Sequence, residues 1–492
     1  MMMSAEMMLI ATMVLPMAAV VPIVAAHRYA NLREAVSIVT ALILIYLVVQ
    51  LYGLTSAGVV VAVASAPLFA GLRLAFAIEP LGMLFSLVAS ILWLVTTIYA
   101  IGYMRGHHEQ NQTRFYACFA VAIGSAMGIA YAGNLLTLFV FYEILTLSTY
   151  PLVTHAGTAE AKQGGRIYLG ILLTTSILFL LAAIIGTWAV TDTLDFRPGG
   201  IFGANVTAAA ILLPLYIFGI GKAAIMPFHR WLPAAMVAPT PVSALLHAVA
   251  VVKAGVFAVL KVSVYTFGID LLAILPTTDF LLYLAAATVV LASLSAMRKD
   301  NLKARLAYST VSQLSYITIG ALLATSAGVV GGAMHIAMHA VGKITLFFCA
   351  GAIMVASHKT EISQMRGLGR RMPITMTAFF IGSLSIIGLP PCGGTWSKWY
   401  LMMGAIDTHH WVIMVVLMVS SLLNIAYLLP IPLHGFLSSD GTQSEKGIKE
   451  APLPALLALS VTAVGCIVLF FFTQPLYELA LSLLTAAGID HG

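Results

Sequence analysis

Apolar residues come in blocks of about 20 down the whole chain, separated by short polar breaks, which is the length an α-helix needs to cross a bilayer. The blocks predict spans near 6–26, 33–52, 79–103, 115–132, 134–153, 166–191, 207–227, 243–266, 276–297, 305–326, 328–356, 373–405, 410–434 and 453–487. Transmembrane β-barrels are excluded, because their signal is short segments of alternating polarity. The first block has no basic segment before it and carries Glu6 ahead of its apolar core, so it reads as a retained helix and not a signal peptide. Residues 54–76 are apolar but rich in Gly, Ala and Ser, with a short β-like run at Val59–Val63, and read as an extramembrane hairpin or cap.

Composition strengthens this picture. Of 492 residues, 61% are hydrophobic and 9% charged, where a globular chain carries about a quarter charged. The expected class is therefore all-α and polytopic, a single transmembrane domain over 1–492. The net charge of +6 suggests no nucleic-acid partner, because the basic residues sit in short loops. With fourteen spans the connections alternate between two sets. Seventeen Lys and Arg fall in one, including Arg33, Arg105, Arg114, Arg298, Lys303, Arg305, Lys446 and Lys449, whereas Arg73 and Arg197 alone fall in the other. By the positive-inside rule the seventeen are cytoplasmic and both termini lie on the opposite side. The four cysteines stand far apart within apolar runs, without disulfide or metal-ligand spacing. No ligand cluster for haem or iron–sulfur and no glycine-rich phosphate loop is found, so no cofactor, metal or redox chemistry of the chain's own is expected.

Five lysines remain, within or at the margin of spans: Lys222, Lys253, Lys261, Lys343 and Lys398. Glu143 is the one acid in mid-span, and His247, His335 and His339 join it at membrane depth. A charge in hydrocarbon costs at least ~2.5–3.5 kcal/mol, so such residues default to ion pathways, proton relays or buried pairs. Glu143 lies in FYEILTLSTY, with Thr146 one turn on and Tyr150 two turns on. Lys222 precedes Pro227 in GIGKAAIMPFHRWLP, where the missing donor predicts a helix break. A second break is predicted in GLPPCGGTWSK, just before Lys398. Paired broken helices, each beside a lysine, point to a transport site at the membrane midplane. In PTPVSALLHAVAVVK, His247 and Lys253 are six residues apart and fall on different helix faces, two links of a chain more than one site. His335, His339 and Lys343 form a period-four stripe on one helix, the pattern of a proton wire; two histidines four apart lack the further ligands a metal would need. Lys261 is close enough to the outer end to snorkel, and the bland and functional readings are balanced. The hydroxyl-rich LAYSTVSQLSY segment either orders water or packs against other helices, and the sequence does not choose.

Together these stretches resemble the antiporter-like membrane subunits shared by Mrp-type cation/proton antiporters, respiratory complex I and membrane-bound hydrogenases. The resemblance rests on the FYE helix, Lys-x4-Pro-x-His-x-Trp-Leu-Pro, Pro-Thr-Pro-Val-Ser-Ala-Leu-Leu-His, LAYSTVSQLSY and GLPP followed by Ser-Lys. It implies helices 1–3 over 1–103, two inverted five-helix repeats over 115–266 and 276–434, and a C-terminal helix in 453–492. It further implies that Glu143 and Lys222 form an acid–lysine pair, that Lys253 and His247 lead to a central relay of His335, His339 and Lys343, and that Lys398 is the terminal residue. A lysine at 398, and an end soon after the fourteenth span, suggest the D-type subunit of an Mrp-type antiporter or a hydrogenase-type relative. The implied setting is a bacterial-type inner membrane, with other membrane subunits as partners. Protons would be the cargo and sodium the exchanged cation, its route largely in partner subunits because one mid-span carboxylate offers few oxygen ligands. The alternative is the proton-pumping subunit of a complex I-like NADH-quinone oxidoreductase or membrane-bound hydrogenase, where the translocation would belong to an enzyme. A scaffold with defunct channels fits poorly with so many intramembrane charges.

Overall fold

A computed structural model describes residues 3–68, 71–438 and 447–489, so Lys446 lies outside the described residues. The helices in chain order are α1 (Ala5–Ala18), α2 (Val20–Ala25), α3 (Ala30–Ser56), α4 (Pro80–Gly106), α5 (Gln112–Ala130), α6 (Leu135–Val153), α7 (Ala159–Thr175), α8 (Leu181–Thr191), α9 (Val206–Gly219), α10 (Trp231–Ala234) and α11 (Thr240–Ala244). They continue as α12 (Val251–Val262), α13 (Ile269–Ile274), α14 (Pro276–Met297), α15 (Leu302–Leu322), α16 (Ser326–Ser357), α17 (Pro373–Ile387), α18 (Gly394–Asp407), α19 (Trp411–Leu428), α20 (Pro430–Leu437), α21 (Leu453–Phe471) and α22 (Gln474–Ala486). Polar side chains start several of them. Asn134, Thr158, Asn301 and Thr325 each accept a backbone N–H three residues on, satisfying one of the free donors at the helix start.

Among the described residues, eleven helical segments are long and apolar enough to cross a membrane. The other three predicted spans differ for identifiable reasons. Residues 206–219 form a short helix that stops at a break, α15 is long but too polar for a simple hydropathy criterion, and 373–407 is two helices, α17 and α18, around a second break. The chain is thus an all-α polytopic membrane protein with two broken helices. The cap read at 54–76 contains a two-stranded antiparallel hairpin, β1 (Ala62–Ala64) and β2 (Ala75–Ala77), with Val63 opposite Phe76. One span is corrected: 453–487 is not continuous but divides into α21 and α22 at Phe472–Thr473, just before Pro475.

Burial separates central helices from outer ones. The most apolar stretch of 240–267 is entirely buried and that of 326–357 is 78% buried, whereas those at 5–25, 411–437 and 453–471 are one third buried. The central helices α12, α15 and α16 therefore carry the ionisable and hydroxyl side chains, and outer helices present Val, Leu, Ile and Phe to lipid. At one end of the bundle the basic residues tie loops together. Arg33 donates to Gln112 Oε1 (2.8 Å), Arg105 to Asn31 and Glu34, Arg114 to His155 O (2.9 Å) and Arg305 to Tyr427 O (3.0 Å). The hairpin caps the other end, where Arg73 pairs loosely with Asp195 (3.9 Å).

Candidate functional site

The first break starts earlier than the proline rule places it. Helix α9 ends at Gly219, eight residues before Pro227, and residue 219 is glycine where the α9 backbone runs against the α7–α8 segment: a Cβ there would lie 2.3 Å from Leu180 N. A single 3-10 turn, Gly221–Ala223, follows, and Ala224 adopts a left-handed φ of +56°. Lys222 therefore sits inside the unwound segment, not on the helix before it. Two aromatic side chains satisfy the freed backbone: Lys222 N donates to Tyr142 Oη (3.0 Å), and Trp231 Nε1 donates to Gly221 O (3.0 Å). The Lys…Trp motif is thus a device for holding an opened helix in a buried setting where unpaired backbone groups are costly.

The Lys222 ammonium donates to Thr146 Oγ1 (2.6 Å) and Tyr142 O (2.9 Å) on α6 and lies over the Tyr142 ring. Glu143, next to Tyr142, is half-buried, and its Oε1 is buried with no hydrogen-bond partner. The expected acid–lysine pair is therefore not in direct contact. Lys222 reaches the turn of α6 that carries Glu143, but it is held there by neutral acceptors.

A π-helical turn, Leu245–Val249, joins α11 to α12 and shifts the register between His247 and Lys253. His247 faces α16, its ring centroid 4.6 Å from that of Phe347, with both ring nitrogens buried and unpartnered. Lys253 reaches the second half of the molecule directly: its Nζ lies 2.6 Å from His339 Nδ1. An ammonium there donates to Nδ1, which places the proton of a neutral His339 on Nε2.

From His339 the groups continue along α16. The His335 ring lies 5.7 Å from that of His339 and stacks on Tyr316 at 5.5 Å. His335 Nε2 faces Gln313 Oε1 (3.2 Å) and Nδ1 faces Ser397 Oγ (2.9 Å) on α18. Ser397 Oγ also lies 3.2 Å from Gly394 O. Its hydroxyl proton can point to Nδ1 when His335 is neutral, or turn to Gly394 O and accept from Nδ1 when His335 is protonated, so the ring changes charge without losing a bond. Tyr316 carries the series on, with Lys398 Nζ 4.8 Å from its ring centroid. Lys398 donates to Ile387 O (2.9 Å), a carbonyl at the end of α17 freed by the second break, and to Ser421 Oγ (3.2 Å).

Lys343 shares the stripe with His335 and His339 but bonds elsewhere. Its Nζ donates to Ser309 Oγ (2.6 Å) on α15, which also accepts from Tyr427 Oη (2.9 Å). The polar half of α15 is thereby explained: Gln313 faces His335 and Ser309 faces Lys343, while Ser312 packs with Ser293 (3.0 Å) and Ser420 (3.4 Å). Part of it partners the ionisable stripe and part of it cements helices. Ser397 and Tyr316 lie in the GLPPCGGTWSK and LAYSTVSQLSY motifs, whose partners the sequence does not name, whereas Ser421 and Tyr427, hydroxyls in an apolar run, join the site only in three dimensions.

Comparison with known proteins speaks to the family and the fold. Residues 132–424 match the family model described as "NADH:quinone oxidoreductase/Mrp antiporter, TM", and 70–116 match that of "NADH-Ubiquinone oxidoreductase (complex I), chain 5 N-terminus". The NADH-quinone oxidoreductase subunit N of Desulforudis audaxviator is 31% identical over 415 residues, covering 81% of this chain and 82% of that protein. A probable K(+)/H(+) antiporter protein of Rhizobium meliloti is 32% identical over 346 residues, 69% of this chain but 34% of that much longer one. A chain of the Mrp complex structure from Dietzia sp. superposes with a TM-score of 0.87 at 22% identity, covering 99% of this chain and 98% of that one. The chain belongs to the NADH:quinone oxidoreductase/Mrp antiporter transmembrane family, as an antiporter-like membrane subunit.

Proposed function

We propose that this chain is the proton-translocating subunit of a multisubunit Mrp-type cation/proton antiporter, moving protons along the buried series Glu143, Lys222, His247, Lys253, His339, His335 and Lys398, with Lys343 as a side branch. The observation that carries the reading is the 2.6 Å contact between Lys253 and His339, which links ionisable groups of 115–266 to those of 276–434. On this reading the two segments are inverted repeats, each with a broken helix beside a terminal lysine. The basic loops face the cytoplasm of a bacterial-type cell and both termini face outward.

Glu143 acts on Lys222 by its charge. When the carboxylate swings to Lys222 it holds the ammonium; when Lys222 turns to Tyr142 O and Thr146, as here, burial favours passing the proton on. Because Glu143 is half-buried at the edge of the chain, a neighbouring subunit can set which arrangement holds. Replacing Glu143 by Ala is expected to cut transport by about 100-fold, the lower range for a positioned acid–base group, with assembly intact. Near-normal flux in that variant would remove the acid from the mechanism.

The exchanged cation on this reading is sodium or potassium. The second reading, a proton pump driven by electron transfer in partner subunits, is favoured by the near full-length match to a quinone oxidoreductase subunit. Inverted vesicles containing the intact complex separate the two. A pH change on adding sodium or potassium supports the antiporter; proton pumping that needs an electron donor and ignores both cations supports the redox-driven complex.

A further inference from the structure

At the end of the bundle opposite the basic loops lies a buried ion pair that the series above does not use. Lys261, at the end of α12, has a side chain 1% exposed, and its Nζ lies 2.7 Å from Oε1 of Glu79, the residue before α4, whose side chain is 15% exposed. The rings of Phe196 and Phe257 stand 4.9 Å and 5.4 Å from the same ammonium. The Tyr265 hydroxyl lies in the same buried setting. Two ionisable groups 2.7 Å apart are thus within reach for proton transfer between them. Of the two groups the acid is the more exposed, although its carboxylate oxygens are themselves covered. On the inner side, Lys261 follows Lys253 by eight residues on one helix, a rise of ~12 Å. Val256–Leu260 between them is apolar and buried, a stretch able to interrupt a water path until it hydrates.

Resting on the reading that protons move through this chain, we propose that Glu79 and Lys261 form a second acid–lysine pair that releases protons at this face. The step balances without another reactant. Lys261 gives a proton to the Glu79 carboxylate, breaking N–H and forming O–H; the carboxylic acid gives it to water that enters from this face; and the neutral amine takes the next proton from the Lys253 side. Glu79 and Lys261 thus repeat, near this face, the chemistry of Glu143 and Lys222.

The deciding variant is Lys261→Arg, because a guanidinium keeps the ion pair but never gives up its proton. Proton flux is measured in inverted vesicles holding the intact complex, with co-purification of all subunits as the check on assembly. The expected result is an assembled Lys261→Arg complex whose flux falls by the share that leaves at this face, and by about 100-fold, the range of a lost acid–base group, when Lys398→Met closes the other end as well. An assembled variant with wild-type flux would overturn the proposal and leave a structural salt bridge. If Lys261→Arg does not assemble, Glu79→Gln decides by the same two outcomes, and failure of both to assemble assigns the pair to folding and also overturns it. Wild-type complex that moves no protons in these vesicles would instead sink the underlying reading, which keeps the two failures apart.

Discussion

Replacing Lys222 by Met is expected to bring proton flux to about 1% of wild type or less, while the protein folds and assembles with stability changed by no more than about 1 kcal/mol. The side chains are similar in length, so the space beneath Tyr142 stays filled. The acceptors left behind are not orphaned, because Thr146 Oγ1 already donates to Tyr142 O at 3.0 Å. Removing a buried ammonium also relieves the cost of keeping it from water. The backbone bond from residue 222 to Tyr142 Oη does not depend on the side chain, so the broken helix keeps its shape. Flux in vesicles and thermal unfolding of the purified complex check the two halves of this expectation; loss of both together would mean that the lysine is structural.

Gly255→Val should do the reverse and act first on stability. A Cβ at 255 would lie 2.4 Å from Lys222 C and 2.5 Å from Ala223 N, closer than real side chains come to backbone. Both obstacles are main chain in the unwound segment, so no rotamer change relieves them. Helix α12 would have to back away from the 3-10 turn, carrying Lys253 from His339 as it goes. The cost expected is at least about 3 kcal/mol, the upper part of the usual range for overpacking. It is measured as a fall in the unfolding temperature of the purified complex, and an unchanged temperature would show that α12 yields at no cost. The second break has a matching constraint: Gly388 has φ of +87°, and a Cβ there would lie 2.7 Å from Lys398 Cδ. Each terminal lysine is thus seated against a glycine.

Periodicity and charge made the membrane class, the spans and the rare ionisable residues legible, because hydrocarbon penalises every exception strongly enough to mark it. The position of the first break was not, since Pro227 states only that a donor is missing, whereas the helix already ends at Gly219 and continues as a 3-10 turn. The face that His247 presents depends on a π-helical turn, a change of hydrogen-bond register with no pattern of its own. The contact between Lys253 and His339 joins residues 86 apart through the packing of α12 on α16. Glu79 was hidden for a different reason: as the residue before a helix it resembles an ordinary surface acid, and only the approach of Lys261 shows it to be part of a buried pair.

Lys222 and Lys398 lie at opposite ends of the series, and flux through Lys222→Met and Lys398→Met complexes, measured side by side in one vesicle preparation, asks whether they belong to one path. A single path that enters at Lys222 and divides at Lys253 predicts background flux in Lys222→Met and, with the exit through Lys261 and Glu79 still open, partial flux in Lys398→Met. Flux falling to about half in each variant, and to background only when both are combined, would mean two independent half-channels and would contradict a continuous proton axis through Lys253 and His339.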